Sequence, residues 1–546
     1  MVRRLLGVLT REIRGLHEAA YLLAFFSFLS QALALVRDRT FAHLFGAGPV
    51  LDSYFAAFRI PDLIFAFLTL FVSSFALIPL LSGREKHEQG ALVGNVLLVF
   101  GVVSLVVSGI LWFAIPYIVP KMFIGFSPAM IDNTILLSRI MLIQPIFLGL
   151  SSIAASVVQV MRQFLIYALA PLLYNIGIIV GAFFFYPTYG IQGLAWGVVL
   201  GALLHLLAQS IPLVSARKTL SVSIATLRAS IIDVALPSMP RALALSAHQV
   251  LFLVFTAVAS LTAVGTVSAL SLGFNLQSVP LTIIGVSYAA ALFPALAGFF
   301  AKGDHISFAN EVWATVRHIV FWTLPAVALI IVLRAQIVRT VLGSGEFSWS
   351  DTRLTAAILA LFAVSLISQA VILVFSRAYY AAQATWVPVV VNVGSAIGAA
   401  LLAYFGVIWI RGAEISKFFL EDLFRVTDIP GTAVLMIPFA YSFAMVIGSL
   451  LFAYLFARRF GFDFRTLRTV GASFAASILA AFAAYGALQA LAPLLPTETF
   501  LGIFTQGALS GLAGICVWIG VLALMKSQEL FEILDVVLQK LKRRAV

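Results

Sequence analysis

The chain has 546 residues, of which 62% are hydrophobic and 10% are charged, and its formal net charge is +12. A soluble globular protein carries charge on about a quarter of its residues, and a mean hydropathy of +1.08 lies far outside that class. These values exclude a soluble fold and indicate a polytopic membrane protein.

The membrane-spanning elements are predicted to be helices. A helix needs about 20 mostly apolar residues to cross a membrane, and the chain alternates such runs with short polar breaks almost from end to end. The sequence lacks the alternating segments of about ten residues that are typical of outer-membrane barrels. Its single cysteine, Cys516, has no partner for a disulfide or a metal cluster. We therefore predict an all-α polytopic membrane protein.

The first 17 residues differ from the apolar runs that follow. They carry basic residues before an apolar stretch, as a signal peptide does, but Arg11, Glu12 and Arg14 interrupt that stretch and no small-residue cleavage site follows. This pattern favours an amphipathic helix on the membrane surface.

About fourteen transmembrane spans are predicted after this segment. In chain order they cover residues 18–45, 52–82, 91–119, 131–160, 164–186, 190–214, 232–262, 266–300, 312–342, 354–380, 384–410, 432–457, 468–492 and 500–525.

Basic residues in the connecting loops predict the orientation of the spans. With the N-terminus placed inside, the cytoplasmic segments collect twenty-two Lys and Arg residues. The outside segments collect seven, namely Lys121, Arg334, Arg339, Arg353, Arg411, Lys417 and Arg425. Both termini are thus predicted to be cytoplasmic. Basic loops that face anionic lipid account for most of the positive charge without a nucleic-acid partner.

An internal repeat predicts two lobes. Residues 171–181 (PLLYNIGIIVG) and 388–398 (PVVVNVGSAIG) share the pattern P-x-x-x-N-x-G-x-x-x-G, and 75–83 resembles 290–298 at nearly the same offset. The offset spans six predicted helices, as in parallel-repeat transporters, whose lobes rock about a central site. A duplicated scaffold that moves nothing is the alternative. The predicted parts are an N-terminal segment (1–17), an N-lobe (18–216), a C-lobe (217–460), two further helices (461–526) and a basic cytoplasmic tail (527–546).

Charges inside the spans mark a candidate site. An Arg or Asp at the centre of a membrane helix costs about 2.5–3.5 kcal/mol on insertion scales, so it normally faces a bundle interior or an aqueous cavity. Asp52 and Arg59 are seven residues apart and so lie near one helical face. The first two spans supply Arg37, Asp38, Arg39, Asp52, Arg59 and Asp62, and the seventh span supplies Arg241 and His248.

A cavity with several arginines favours an anion, and a guanidinium suits phosphate better than an ammonium does. The sequence therefore predicts phosphate-bearing cargo. Two alternatives stay open, namely that the arginines pair with neighbouring carboxylates or snorkel to the interface. Arg139 is assigned to snorkelling or to a helix–helix contact, and His205 to hydrogen-bonded packing.

The sequence contains no P-loop, no paired His/Glu metal spacing and no nucleophile elbow. We predict a transporter rather than an enzyme, without a cofactor. Transport is expected to draw on an ion gradient, the membrane potential or the gradient of the cargo.

The run LVRDRTFAHLFGAGPVLDSYFAAFRIPDL, residues 35–63, resembles the signature of the MurJ (MviN) lipid II flippases of the MOP exporter superfamily. Weaker similarity covers residues 161–175 and 375–383, and the plan of six, six and two helices agrees. The matching signature residues are Arg37, Asp38, Phe45, Gly46, Ala47, Gly48, Asp52, Tyr54, Ala57, Arg59 and Pro61.

The resemblance implies that an undecaprenyl-pyrophosphate-linked peptidoglycan precursor moves from the inner to the outer leaflet of the bacterial cytoplasmic membrane. It implies that arginines hold the pyrophosphate and that the last two helices form a groove for the lipid tail. Membrane lipids are the expected surroundings, and a monomer is the expected state.

Three cations of the family pattern are replaced in this chain. Gln31 stands where an arginine precedes the Arg-Asp pair, residues 64–74 replace a segment with another arginine, and Asn275 replaces a cavity arginine of the eighth span. Arg241 is a hypothetical substitute for one of them. The predicted substrate-binding residues are Arg37, Asp38, Arg39, Asp52, Arg59, Arg241 and Asn275.

Two other functions stay open. One is a flippase for another lipid-linked oligosaccharide, or another exporter of the superfamily. The other is a membrane scaffold without transport activity, which recruits envelope-synthesis partners through the basic tail at residues 532–546.

Overall fold

The computed structural model describes residues 12, 16–72, 74–83, 85–215, 220–496, 499–532 and 535. Almost all of the predicted N-terminal amphipathic segment and most of the predicted basic tail lie outside the described residues.

The described part of the chain forms twenty α-helices and no strand. The chain divides into two compact units, Met1–Ser268 and Ala269–Val546. The helices of the first unit are α1 (Leu16–Phe45), α2 (Pro49–Val72), α3 (Ser74–Ser82), α4 (Lys86–Met122), α5 (Pro128–Met141), α6 (Ile143–Val160), α7 (Phe164–Val180), α8 (Tyr186–Tyr189), α9 (Gln192–Ser215) and α10 (Ile224–Ser260).

Helix α11 (Thr266–Pro280) begins in the first unit and lies mostly in the second. The remaining helices are α12 (Ser287–Ala301), α13 (His305–Val332), α14 (Arg334–Leu342), α15 (Trp349–Ala381), α16 (Trp386–Gly412), α17 (Glu414–Phe424), α18 (Met436–Phe460), α19 (Arg465–Leu491) and α20 (Phe500–Leu524). Helices α7 and α11 each continue into a π-helical turn, and a 3₁₀ turn precedes α18.

The predicted fold class is confirmed. Among the described residues, thirteen helices are long and apolar enough to cross a membrane. They match thirteen of the predicted spans, and the remaining one, 52–82, corresponds to α2 and α3. The chain is therefore a multi-pass membrane protein.

Glycines allow α7 and α9 to approach closely. A Cβ atom added at Gly177 would lie 2.3 Å from the Cα of Gly201, and one added at Gly181 would lie 2.5 Å from the Cα of Gly197. Small residues are a common means of packing membrane helices, where apolar burial gives no net drive. The two glycines of the first repeat copy thus belong to a helix crossing.

The second repeat copy, on α16, packs differently. A Cβ added at Gly394 or Gly398 would meet no heavy atom of the described chain within 4 Å. Ser395, one residue after Gly394, contacts α18, where a Cβ added at Gly448 would lie 2.4 Å from the Ser395 hydroxyl oxygen. The pattern is repeated, but the residue at the close contact is not.

Aromatic residues fill the core of the second unit. The buried rings of Trp313 on α13 and Phe375 on α15 lie 5.6 Å apart, and Phe375 lies 5.2 Å from Phe456 on α18. The Trp313 Nε1–H donates to the Gly461 carbonyl at 3.0 Å, which satisfies the one polar atom of the ring. Helices α13, α15 and α18 therefore form one packed block.

Helix α10, predicted as the first helix of the C-lobe, packs within the first unit against α2 and α4. Asn95 of α4 anchors the start of α10. Its side chain donates to the Ser230 hydroxyl at 3.2 Å and accepts from the Ser223 N–H at 3.0 Å. The constant offset between the repeat copies predicts how many helices each lobe contains. It does not predict which neighbouring helices α10 packs against. The lobe boundary after residue 216 stays a prediction.

Arg139 of α5 supplies a hydrogen bond that a proline removes from α4. Pro116 has no N–H, so the Trp112 carbonyl, four residues earlier, lacks a donor in its own helix. The Arg139 Nε–H donates to this carbonyl at 3.0 Å, and the Arg139 Cζ lies 4.2 Å from the centre of the Trp112 ring. Arg139 thus makes a helix–helix contact.

Replacing Arg139 with leucine should lower the free energy of unfolding by about 1–3 kcal/mol, because the Trp112 carbonyl loses its donor. Pro116→Ala restores a helical N–H to the same carbonyl, so Arg139→Leu should cost less in that background. Thermal unfolding of the detergent-solubilised chain, followed by tryptophan fluorescence, measures both losses. Equal losses in the two backgrounds would contradict this role for Arg139.

Candidate functional site

Arg37 of α1 is held by two acceptors. Its Nε and Nη2 donate to Asp38 Oδ1 at 3.0 and 2.8 Å, and its Nη1 donates to Asn175 Oδ1 on α7 at 3.0 Å. The Asn175 side-chain nitrogen donates to the Pro171 carbonyl at 3.0 Å, which leaves its oxygen directed at Arg37. The Asp38 side chain is 3% exposed and that of Arg37 is 20% exposed. This network joins α1 to α7.

Each of these bonds uses one N–H group of Arg37. A guanidinium carries five N–H groups, so one remains on each terminal nitrogen beyond the contacts that the described residues make with it. Arg37 can therefore bind a further acceptor without releasing Asp38 or Asn175.

Asp52 caps the N-terminus of α11, whose first three residues belong to the first unit. Its buried carboxylate accepts from the Gly265 N–H at 2.6 Å, the Ser268 N–H at 2.7 Å and the Ser268 hydroxyl at 2.5 Å. An anionic acceptor at this end satisfies N–H groups that have no helical partner and interacts favourably with the helix dipole. Asp52, predicted to bind substrate, is thus engaged through both oxygens in holding the fold.

Gly265 makes this cap possible. Its φ is +90°, and a Cβ at this position would lie 2.4 Å from the Ala47 carbonyl oxygen. A side chain here would therefore combine an unfavourable backbone conformation with a clash.

Arg59 lies two helical turns after Asp52 on α2 and contacts α10. Its Nε–H donates to the Thr256 hydroxyl oxygen at 2.8 Å, and its Cζ lies 5.6 Å from the centre of the Phe252 ring. The Thr256 hydroxyl donates to the Phe252 carbonyl at 2.8 Å, so its oxygen is free to accept from Arg59. His248 packs on Phe252, with the two ring centroids 4.8 Å apart.

Two tyrosines lie near the arginines. Tyr54 of α2 and Tyr174 of α7 belong to one core cluster close to Arg37 and Asp62, and Asp62 follows Arg59 by one helical turn on α2. The two arginines therefore belong to one group in the first unit. We call this group the cation cluster; it consists of Arg37, Asp38, Tyr54, Arg59, Asp62, Tyr174, Asn175 and Thr256.

The other three predicted site residues lie elsewhere or are only partly described. Arg39 is half-buried on α1, and the Arg241 side chain, on α10, lies outside the described residues. Asn275 lies on α11 in the second unit, where its carbonyl accepts from the Ser278 hydroxyl at 2.7 Å. Substrate binding by these residues stays a prediction.

Five members of the cation cluster are not among the predicted substrate-binding residues, although Asp62 is one of the charges inside the second span. Asn175 is the asparagine of the repeat pattern, which was the available signal for it. Thr256 lies in an uncharged apolar stretch, and only the packing of α10 on α2 brings it to Arg59. Tyr54 is a matching residue of the family signature, whereas Tyr174 carries no pattern that distinguishes it from an ordinary core tyrosine.

A family model described as lipid II flippase MurJ matches residues 41–505. The chain belongs to the MurJ lipid II flippase family. The match covers most of the chain, so the resemblance seen at residues 35–63 is confirmed. This is a family of transporters rather than of enzymes.

Curated relatives agree with this membership. The probable lipid II flippase MurJ of Buchnera aphidicola subsp. Acyrthosiphon pisum is 26% identical over 397 residues, which cover 71% of this chain and 78% of that protein. The lipid II flippase MurJ of Burkholderia cenocepacia is 25% identical over 403 residues, covering 71% of this chain and 78% of that protein.

Solved structures share the fold. A lipid II flippase MurJ in an inward closed conformation superposes with a TM-score of 0.72 at 20% identity, covering 92% of this chain and 98% of that one. An inward-facing multidrug resistance MATE family transporter of the MOP superfamily gives a TM-score of 0.62 at 15% identity, covering 79% and 94%. The chain therefore shares the fold of these two transporters.

Replacing Asp52 with alanine should lower the free energy of unfolding by about 2–3 kcal/mol, because two N–H groups and a hydroxyl lose a charged acceptor. Asp52→Asn keeps one acceptor oxygen and should lose less. Thermal unfolding in detergent measures the losses. An Asp52→Ala protein of normal stability that no longer transports would mean that this carboxylate contacts the cargo instead.

Proposed function

We propose that the chain moves lipid II, an undecaprenyl-pyrophosphate-linked peptidoglycan precursor, from the inner to the outer leaflet of the bacterial cytoplasmic membrane by alternating access. The observation that carries this proposal is the cation cluster, which sets Arg37 and Arg59 inside membrane helices of a chain of the MurJ family.

Arg37 is suited to bind the pyrophosphate. Guanidinium groups form paired, charge-assisted hydrogen bonds with phosphate oxygens, and Arg37 has an N–H on each terminal nitrogen beyond its bonds to Asp38 and Asn175. Those two residues already fix its side chain, so little conformational entropy is lost when the cargo binds.

Arg59 is the second cation of the proposed site. Thr256 and Phe252 hold its side chain against α10. Asp62, one turn away, offsets part of the positive charge, which lowers the affinity for an anion and favours release of the cargo. Transport needs both binding and release.

The proposed orientation, lipid-tail groove and energy source rest mainly on the sequence-based predictions. The excess of basic residues in alternate loops supports cytoplasmic termini. Helices α19 and α20 pack on each other and expose large apolar side chains such as Phe482 and Leu512, which suits a groove for the lipid tail. The mechanism requires no nucleic acid, no cofactor and no second copy, and an ion gradient, the membrane potential or the cargo gradient drives it.

Depleting the protein in its host should make lipid-linked cell-wall precursor accumulate in the inner leaflet. The wild-type chain should restore the normal distribution, whereas Arg37→Ala and Arg59→Ala should not, because each removes a cation of the proposed pyrophosphate site. Arg59→Lys keeps the positive charge but lacks the planar guanidinium group with its paired N–H donors, so it should restore the normal distribution only in part. The distribution is read by accessibility of the precursor to a reagent that cannot cross the membrane.

Lys121→Ala is the matched control, since it removes an exposed cation at the end of α4, and it should restore the distribution fully. Membrane levels of each variant exclude loss of the protein. A normal precursor distribution after depletion contradicts the lipid II assignment. Full restoration by both arginine variants supports the scaffold alternative instead.

Arg241 and Asn275 test whether this chain replaces a cation of the family pattern. If Arg241 restores one, Arg241→Ala should reduce transport, and Asn275→Arg should change it by returning a cation to the eighth span. The same precursor assay measures both. If neither substitution alters transport, the hypothesis fails.

A further inference from the structure

The second unit places two arginines together where α14 begins and α17 ends. The Cζ of Arg334, the first residue of α14, lies 5.9 Å from the centre of the ring of Phe424, the last residue of α17. Arg425 follows Phe424 directly. Burial lowers the pKa of Arg334, and the like charge of Arg425 lowers it further. We call Arg334 and Arg425 the arginine pair.

The backbone of Arg425 is held in an unusual conformation. Its φ of 58° and ψ of 49° lie in the left-handed region, which is rare for a long side chain. Arg353 of α15 holds this turn, since its Nε–H donates to the Arg425 carbonyl at 3.0 Å and its Nη1 donates to Asp428 Oδ2 at 2.8 Å. Strained residues persist where the surroundings enforce them, often at ligand sites.

The side chain of Arg425 is not used by this clamp. Within the ranges that the structure describes, its guanidinium has no hydrogen-bond or ion-pair partner. Arg334 donates one N–H, from Nη1 to the Ile331 carbonyl at 2.9 Å. The arginine pair therefore holds several N–H groups that a ligand can reach.

Two carboxylates near the arginine pair, Asp428 and Glu421, are engaged elsewhere. Asp428 is bound by Arg353, which also lowers the pKa of that carboxyl group. Glu421 is buried and accepts from the Thr432 hydroxyl. Asp422 is exposed on α17, and its carbonyl accepts from the Arg425 N–H at 3.0 Å. Neither Asp428 nor Glu421 thus neutralises the pair.

Helix α17 exposes an apolar face next to a candidate span. It begins two residues after the end of α16, a candidate span. Four apolar side chains of α17 are 57–88% exposed and fall within one arc of the helix, namely Ile415, Phe418, Phe419 and Leu423. They continue the exposed apolar face of α16, which includes Phe405 and Trp409. Such a face next to a span is covered by lipid, so α17 ends at headgroup level.

We propose that the arginine pair binds the phosphate group of a membrane lipid at this interface. Two guanidinium groups match the oxygens of a phosphate, and binding removes the repulsion between them. A free phosphate ion offers the same chemistry, and the position of the site beside a lipid-covered helix favours the lipid. Helix α14 also packs on α20, so the site lies beside the last helix. The inference does not depend on the cargo proposed above.

The test titrates three probes into the detergent-solubilised full chain: dihexanoyl phosphatidic acid, inorganic phosphate, and dihexanoyl glycerol, which lacks the phosphate. The wild type should bind phosphatidic acid, and Arg334→Gln or Arg425→Asn should each lower its affinity about tenfold, as expected for loss of a charge-assisted bond. Asn tolerates the left-handed conformation of Arg425. Lys417→Gln, a charge-matched control on α17, should change the affinity less than about twofold.

Binding of phosphatidic acid with this dependence on the arginines supports the site, whether or not inorganic phosphate competes. Binding of inorganic phosphate alone contradicts a lipid ligand. Equal binding of dihexanoyl glycerol, or wild-type affinity in both arginine variants, overturns the site. Repeating the titration with Arg59→Ala removes a cation of the cation cluster, so the outcome here is independent of the proposed function.

Thermal unfolding without ligand gives a second readout. Arg425→Asn should be at least as stable as the wild type, because it removes repulsion with Arg334 and keeps the carbonyl that Arg353 binds. A clear loss of stability would mean that the Arg425 side chain holds the fold, and the proposal would then be wrong.

Discussion

An arginine inside a membrane helix has to find its hydrogen-bond acceptors in the protein, because hydrocarbon offers none. Arg37 finds them in Asp38 and Asn175, and its hydrogen bond to Asn175 links α1 to α7. Arg59 meets the same need at Thr256, which joins α2 to α10. Two contacts between helices of the first unit thus satisfy guanidinium groups, and Arg37 retains one unused N–H on each terminal nitrogen.

Three carboxylates close to these arginines have different tasks because their neighbours differ. Asp38 orients a cation, and Asp52 caps α11 through a turn at Gly265 whose backbone conformation favours glycine. Asp62 lies beside Arg59 and reduces the positive charge there. A count of charges alone therefore overstates the positive charge of this region, and the geometry leaves one unused N–H on each terminal nitrogen of Arg37.

Hydropathy was sufficient to predict the fold class, since thirteen of the spans correspond to single long apolar helices or helix pairs. Local spacing predicted that Asp52 and Arg59 lie near one face of α2, and the structure shows that they contact different helices, α11 and α10. The partners of these residues could not be predicted in this way. Thr256 lies about two hundred residues from Arg59, in a stretch without charge, and the Arg139 acceptor exists only because Pro116 frees a carbonyl on another helix. Contacts of this kind depend on packing, which spacing along the chain does not encode.

The central claim is that Arg37 and Arg59 bind the pyrophosphate of the cargo. Its most direct test is the affinity of the purified chain for a short-chain polyprenyl pyrophosphate, measured with the arginine pair removed by Arg334→Gln and Arg425→Asn. The account predicts that Arg37→Ala and Arg59→Ala each weaken binding about tenfold or more, and that the corresponding polyprenol, which lacks the pyrophosphate, binds far more weakly. Unchanged affinity in both alanine variants, or equal binding of the polyprenol, would contradict it.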